Sequence, residues 1–183
     1  MSFACKLCPA GRYRSGPDSC EGICSEGYFC PRGSTEDRVQ ACGGSGFYCP
    51  AGTQLPLEVA SGWYSSGLDA EHGHNKTICP PGSYCIHGIK RPCPAGRFGV
   101  TEGLSTYECT DKCLPGTYCE VGSFEPVVCP AGSFCPDGVR YWPCPSGRYG
   151  STEGLKGQVC SGLCDVGHFC EPGSTSPTQG SLL

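Results

Sequence analysis

Nineteen of the 183 residues are cysteine, and cysteine at this density does one of two kinds of chemistry. It forms disulfides in an oxidising compartment, or as thiolate it ligates a metal. The spacing admits both. One Cys-x2-Cys (Cys5, Cys8) and three Cys-x3-Cys steps (Cys20/Cys24, Cys109/Cys113, Cys160/Cys164) have the span of zinc knuckles, and a tetrahedral site needs two knuckles brought together. The Tyr or Phe directly before Cys30, Cys49, Cys85, Cys119, Cys135 and Cys170 fits disulfide modules better, with a zinc-binding cysteine-rich protein as the alternative.

Spacing also suggests partners. Cys93 and Cys109, Cys113 and Cys129, Cys119 and Cys135, and Cys144 and Cys160 are each 16 residues apart, as one hairpin-closing bridge used repeatedly would require. By analogy Cys8 pairs with Cys20, Cys24 with Cys42 and Cys30 with Cys49. Closing a loop of about 15 residues contributes roughly 3 kcal/mol in the chain-entropy account. Cys5, Cys79, Cys85, Cys164 and Cys170 are left over. Cys164 and Cys170 occupy the third and fourth places of a repeat that lacks its last two, while Cys79 and Cys85 occupy those last two. The expectation is therefore that one chain completes another's module, head to tail, with Cys5 a further intermolecular candidate. The rival pairings are local, Cys79 with Cys85 and Cys164 with Cys170, or lie with cysteines further along a longer chain.

Other reactive constellations are sparse. Asn75-Lys76-Thr77 is an N-glycosylation sequon built on the one Asn of the chain. His72 and His74, beside Asp69 and Glu71, have the residue types for a metal but read first as a solvated loop. Gly43-Gly44-Ser45-Gly46 leads into Phe-Tyr-Cys rather than a helix, so it is a turn and not a phosphate cradle. No Ser, His and carboxylate recur in a nucleophilic pattern, and no enzyme, cofactor or resident metal is expected.

The elements that would carry these residues are small. Ile, Leu, Val and Phe number 30 of 183 residues, about 16%, too few for a self-sufficient apolar core. Cys93-Pro-Ala-Gly-Arg-Phe-Gly-Val-Thr-Glu-Gly-Leu104 and Cys144-Pro-Ser-Gly-Arg-Tyr-Gly-Ser-Thr-Glu-Gly-Leu155 agree at nine of twelve positions, 51 residues apart. Within that period recurs Cys-x-x-Gly-x-aromatic, often closed by another Cys: Cys24 to Cys30, Cys79 to Cys85, Cys113 to Cys119, Cys129 to Cys135 and Cys164 to Cys170. Pro presets φ, Gly permits a positive φ, and the aromatic is expected to cover the adjacent disulfide. No helical period appears, and Gly or Pro interrupts nearly every stretch of ten residues. The fold class expected is a small disulfide-rich array of short β-hairpins and turns, elongated, with little helix. Its units would be 1–49, an insertion with an extra cysteine pair over 50–92, a complete unit over 93–143 and an incomplete one over 144–183. Leu55, Leu57, Val59 and Trp63 in the insertion form the densest apolar group outside the cysteines, a local core or a subunit contact.

The Cys-Pro-x-Gly-x-aromatic elements resemble ephrin-receptor-like cysteine-rich repeats and, more distantly, tumour-necrosis-factor-receptor modules, over essentially everything outside 50–78. The resemblance implies stalks, receptor ectodomains, adhesins or structural hairs and sheaths. With 13 Lys plus Arg against 17 Asp plus Glu no basic face exists for nucleic acid, and no apolar run reaches the roughly 20 residues that cross a bilayer. Met1-Ser-Phe-Ala-Cys5 has no charged region leading into an apolar stretch, so the chain reads as part of a longer secreted protein. The function expected is that of an extracellular or cell-surface structural subunit of a fibre, hair, sheath or matrix, self-associating into an oligomer or filament and carrying glycans. The alternative is a ligand-binding or adhesive receptor stalk.

Overall fold

The computed structural model describes residues 7–17 and 19–181. They form ten antiparallel hairpins, each a separate two-stranded sheet, and contain no helix. In chain order the pairs are β1 (Arg12–Tyr13) with β2 (Gly22–Ile23), β3 (Tyr28–Phe29) with β4 (Gln40–Ala41), β5 (Phe47–Tyr48) with β6 (Leu57–Glu58), and β7 (Trp63–Gly67) with β8 (Gly73–Ile78). Next are β9 (Ser83–Ile86) with β10 (Ile89–Pro92), β11 (Arg97–Phe98) with β12 (Asp111–Lys112), and β13 (Thr117–Tyr118) with β14 (Val127–Val128). The last three are β15 (Ser133–Phe134) with β16 (Trp142–Pro143), β17 (Arg148–Tyr149) with β18 (Gly162–Leu163), and β19 (His168–Phe169) with β20 (Gly180–Ser181). The chain divides into two compact units, Met1–Cys79 with Cys85–Lys90, and Pro80–Tyr84 with Arg91–Leu183.

One local device makes nine of the ten hairpins. In Cys-Pro-Ala-Gly-Arg-Tyr13 the Arg12 amide donates to the Pro9 carbonyl at 3.2 Å, and Gly11 takes φ +83°. A bond from the fourth residue to the first, with a positive φ at the third, is the geometry only glycine adopts without cost. Gly27, Gly62, Gly82, Gly96, Gly116, Gly132, Gly147 and Gly167 stand at the same place with φ from +75° to +95°. Gly46 is the exception: its turn closes from the Phe47 amide to the Gly44 carbonyl at 3.0 Å without a positive φ at Gly46.

The same glycines join each hairpin to the next. In the first unit the amides of Cys24, Cys42, Val59 and Cys79 donate to the carbonyls of Gly11, Gly27, Gly46 and Gly62 at 2.8–3.1 Å. In the second, Cys93, Cys113, Cys129, Cys144 and Cys164 donate to Gly82, Gly96, Gly116, Gly132 and Gly147 at 2.8–3.1 Å. Stacking is thus by backbone, and the repeat is a single hairpin. The 51-residue period seen in sequence is three of these steps.

The interior is sulfur. Apart from Val59, every buried apolar residue among those described is a half-cystine. The aromatic of each element does not make the core; Phe169, for example, is 43% exposed. In the first and last hairpins it lies over the second strand. Tyr13 is paired across from Gly22 and Phe169 from Gly180, and a Cβ at either glycine would collide with the ring. Glycine on the return strand makes the seat for the ring.

A cystine ladder and its cysteine-free hairpin as the candidate functional site

Nine disulfides join the eighteen described cysteines, with Cα separations of 5.3–6.1 Å, inside the range such a bond requires. They are of two kinds. The narrow bridges are Cys24–Cys30, Cys42–Cys49, Cys79–Cys85, Cys113–Cys119, Cys129–Cys135 and Cys164–Cys170, six or seven residues apart. The wide ones are Cys8–Cys20, Cys93–Cys109 and Cys144–Cys160, 12 or 16 apart.

This corrects four expected pairings: Cys24 with Cys42, Cys30 with Cys49, Cys113 with Cys129 and Cys119 with Cys135. The physical reason is the turn. Glycine folds the six-residue loop back so that its closing Cys meets its opening Cys, whereas a cysteine 16 residues on belongs to the next hairpin and is held by its own amide on the intervening glycine carbonyl. Only where Arg14, Gly99 and Gly150 occupy the closing place does the opening Cys reach across the hairpin. The intermolecular expectation for Cys79, Cys85, Cys164 and Cys170 is corrected likewise, since each is bridged within its own step. Cys5 lies outside the described residues. As half-cystines, the three Cys-x3-Cys pairs have no thiolate to offer a metal, and among the described residues no three His, Cys, Asp or Glu side chains gather as a metal site.

A second motif went unread in the sequence although its signal is plain. Cys30-Pro-Arg-Gly-Ser34, Cys49-Pro-Ala-Gly-Thr53, Cys119-Glu-Val-Gly-Ser123 and Cys170-Glu-Pro-Gly-Ser174 repeat Cys-x-x-Gly-Ser/Thr. Each Ser or Thr hydroxyl donates to the carbonyl three residues back, Ser34 to Pro31 at 2.7 Å and Ser174 to Glu171 at 2.6 Å, with Thr53 and Ser123 doing the same. The turn glycines Gly33, Gly52, Gly122 and Gly173 donate to the carbonyls of Cys8, Cys24, Cys93 and Cys144 at 2.8–2.9 Å. These turns cover the hairpin glycines: a Cβ on Gly11, Gly82 or Gly132 would strike the carbonyl of Gly52, Gly122 or Gly173 respectively.

One step has no disulfide. Val59 takes the opening place and Ser65 the closing place, with Val59 buried and its amide bonded to Gly46. The hairpin compensates in length, since β7 and β8 are the longest strands, at five and six residues, and pair from Trp63↔Ile78 to Gly67↔Gly73. One face carries Trp63, Ser65, Lys76 and Ile78. There the Lys76 Nζ lies 5.4 Å from the Trp63 ring centre and 5.4 Å from that of Tyr48, and the Ser65 hydroxyl donates to the Phe47 carbonyl at 3.0 Å. The opposite face carries Tyr64, Ser66, Asn75 and Thr77. Leu55 and Leu57 remain exposed and do not join Val59 in a local core.

The loop between β7 and β8 takes over the covering role for Gly27. His72 sits 3.1 Å from the place of a Cβ on Gly27, its ring 4.7 Å from that of Tyr28. The Asp69 carboxylate fixes the loop, accepting from the Glu71 and His72 amides at 2.9 Å each and meeting His72 Nδ1 at 2.7 Å. The His72 hydrogen bond, then the Glu71 amide, hold the Asp69 carboxyl below its ordinary range. No third ligand group joins the pair among the described residues. This is a loop clamp, and no described groove gathers a nucleophile, a base and an oxyanion donor. No helix among the described residues is long and apolar enough to cross a membrane.

The fold and site define a class: tandem hairpins held by a ladder of cystines and glycine turns in an oxidising environment. Comparison with known proteins places relatives beside it. Over 146 residues, 78% of the chain, it is 28% identical to the ABC-type transporter claG of Penicillium crustosum. Over 145 residues, 76% of the chain, it is 26% identical to ABC transporter G family member 28 of Arabidopsis thaliana. The matched segments make up 14% and 11% of those proteins, so the chain spans only a small part of the relatives' length. No family model matches the chain.

Proposed function

We propose that the chain is a non-catalytic, extracytoplasmic stalk, the cysteine-rich ectodomain segment of a longer membrane protein. The observation that carries this reading is that the buried core consists almost wholly of half-cystines. A chain whose interior is sulfur has no alternative core when reduced, so its working compartment is one where disulfides persist. The absence of a preorganised reactive cluster among the described residues accords with a spacer rather than an enzyme. Both relatives are ABC transporters by name and far longer than the match, which supports a segment of a larger membrane protein over a free fibre subunit. Of the cysteines offered as links between chains in the fibre reading, Cys79, Cys85, Cys164 and Cys170 are bridged at home, which weakens that reading.

The test is alkylation of native-source protein without reduction, followed by mass spectrometry, together with protease or antibody access to an epitope in intact cells. The expected outcome is that Cys8 through Cys170 resist alkylation and the epitope is accessible from outside. Cysteines that alkylate freely, or an epitope reached only after permeabilisation of the cell's outer membrane and every internal one, would overturn the proposal.

A further inference from the structure

We propose that Asn75 carries an N-linked glycan, and that the glycan shields the one ladder step that has no disulfide. The inference rests on the extracytoplasmic reading above, since the glycan donor acts only in the secretory pathway.

The sequon Asn75-Lys76-Thr77 lies within β8, with Asn75 paired to Ser66 and Thr77 to Tyr64. Strand alternation puts Asn75 and Thr77 on the face opposite Lys76, whose Nζ lies over the Trp63 and Tyr48 rings while its side chain stays exposed. Asn75 is exposed. Its Oδ1 accepts from the Lys76 amide at 2.8 Å, while its Nδ2, the atom that would be modified, has no hydrogen bond among the described residues. The Thr77 hydroxyl lies 3.2 Å from the Ser66 hydroxyl on the same face. The side chain is thus exposed, with no fold-holding bond at Nδ2 to be broken by a sugar.

The chemistry needs one co-reactant, a lipid-pyrophosphate-linked oligosaccharide. Asn75 Nδ2 attacks the sugar C1, the bond from C1 to the pyrophosphate oxygen breaks, the lipid pyrophosphate leaves with the electron pair, and the amide gives up one proton. No oxidant is involved.

The position matters because Val59 and Ser65 replace the cysteine pair there, so local opening of β7–β8 is opposed by backbone pairing without a cross-link. Lys76, the one Lys or Arg from Trp63 to Ile78 and itself exposed, is the sequon's middle residue, and a glycan on its neighbour would block trypsin there.

The experiment expresses the chain behind a secretion leader in eukaryotic cells and analyses the oxidised, secreted product by endoglycosidase digestion and peptide mass spectrometry. The expected result is one endoglycosidase-sensitive step that maps to Asn75, is lost in Asn75→Gln and Thr77→Ala, and is kept in Thr77→Ser. Limited trypsin digestion should then cut after Lys76 several-fold faster in Thr77→Ala than in Thr77→Ser. An oxidised, secreted wild-type chain without the step, or a step that survives Asn75→Gln, overturns the glycan. Equal cutting of the two Thr77 variants overturns the shielding. Free thiols in native-source protein would instead overturn the stalk reading, so the two failures are distinct.

Discussion

Gly132 and Gly147 occupy the same place in neighbouring hairpins, and only Gly132 lies under a covering turn, so substitution by Ala measures what that turn contributes. Both have positive φ, +81° and +79°. Their amides donate to Gly150 and Cys170, and their carbonyls accept from Cys144 and Cys164, at 2.8–3.1 Å. A Cβ on Gly147 would meet nothing within 4 Å, whereas a Cβ on Gly132 would run into the Gly173 carbonyl and lie 3.2 Å from the Thr175 side chain. Gly147→Ala therefore costs only the left-handed backbone, about 1–2 kcal/mol, partly offset by the lower entropy of the unfolded chain. Gly132→Ala bears the same cost and must also displace the Gly173 turn, which is held by its amide bond to Cys144 at 2.9 Å and by the Ser174 hydroxyl. Forcing packed backbone aside costs roughly 1–3 kcal/mol more, or about five- to 150-fold in the local opening constant. Hydrogen exchange reads this in the oxidised protein, at the Cys144 amide for Gly132→Ala and the Cys164 amide for Gly147→Ala. Equal acceleration at the two amides would refute the idea that the Cys-x-x-Gly-Ser/Thr turns lock the ladder.

The remaining predictions bear on the cystines and the clamp. Val59→Cys combined with Ser65→Cys should form a tenth bridge at the unbridged step and slow exchange of the Cys79 amide by about 2 kcal/mol on the loop-entropy estimate; alkylation of both new thiols would count against equivalence of the steps. Non-reducing peptide mapping should recover Cys113 linked to Cys119 and Cys129 to Cys135, and recovery of Cys113 with Cys129 would restore the pairing argued from spacing. His72→Ala should raise the Asp69 pKa towards the ordinary carboxylate range, followed by the pH dependence of its side-chain carbon shift. Because the folded-state pKa is lowered, the clamp's contribution is present above the unfolded carboxylate pKa and fades as pH falls through the folded value; a loop 68–72 unchanged in amide shifts across that acid range would contradict it.

Much of the local structure was legible in the chain because it is dictated by near neighbours. The positive φ at Gly96 and Gly147 follows from Cys-Pro-x-Gly and needs no distant contact. The class of fold follows as directly, since so few apolar residues leave cystine as the one available core. The pairing was less legible. Equal 16-residue separations suggest one bridge, but that separation recurs for two reasons: Cys93 and Cys109 close a hairpin, whereas Cys113 and Cys129 are equivalent places in successive hairpins. Residues 50–78 hold no Cys and so look like part of an insertion, yet Val59 there fills a cysteine's place in the backbone ladder, and side-chain type conceals what the backbone repeats.

The sequence by itself determined that this protein is built of short cystine-bound hairpins, because turn chemistry and the shortage of apolar residues act within a few positions. Only the tertiary structure decided which cysteines meet, that Val59 and Ser65 stand in for a pair, and that Lys76 lies over Trp63 and Tyr48 on the face opposite Asn75. Those outcomes depend on how each glycine carbonyl captures the next hairpin's amide and on which face of β8 packs against Trp63, and both are set by stacking between elements rather than by the order of residues along any one of them.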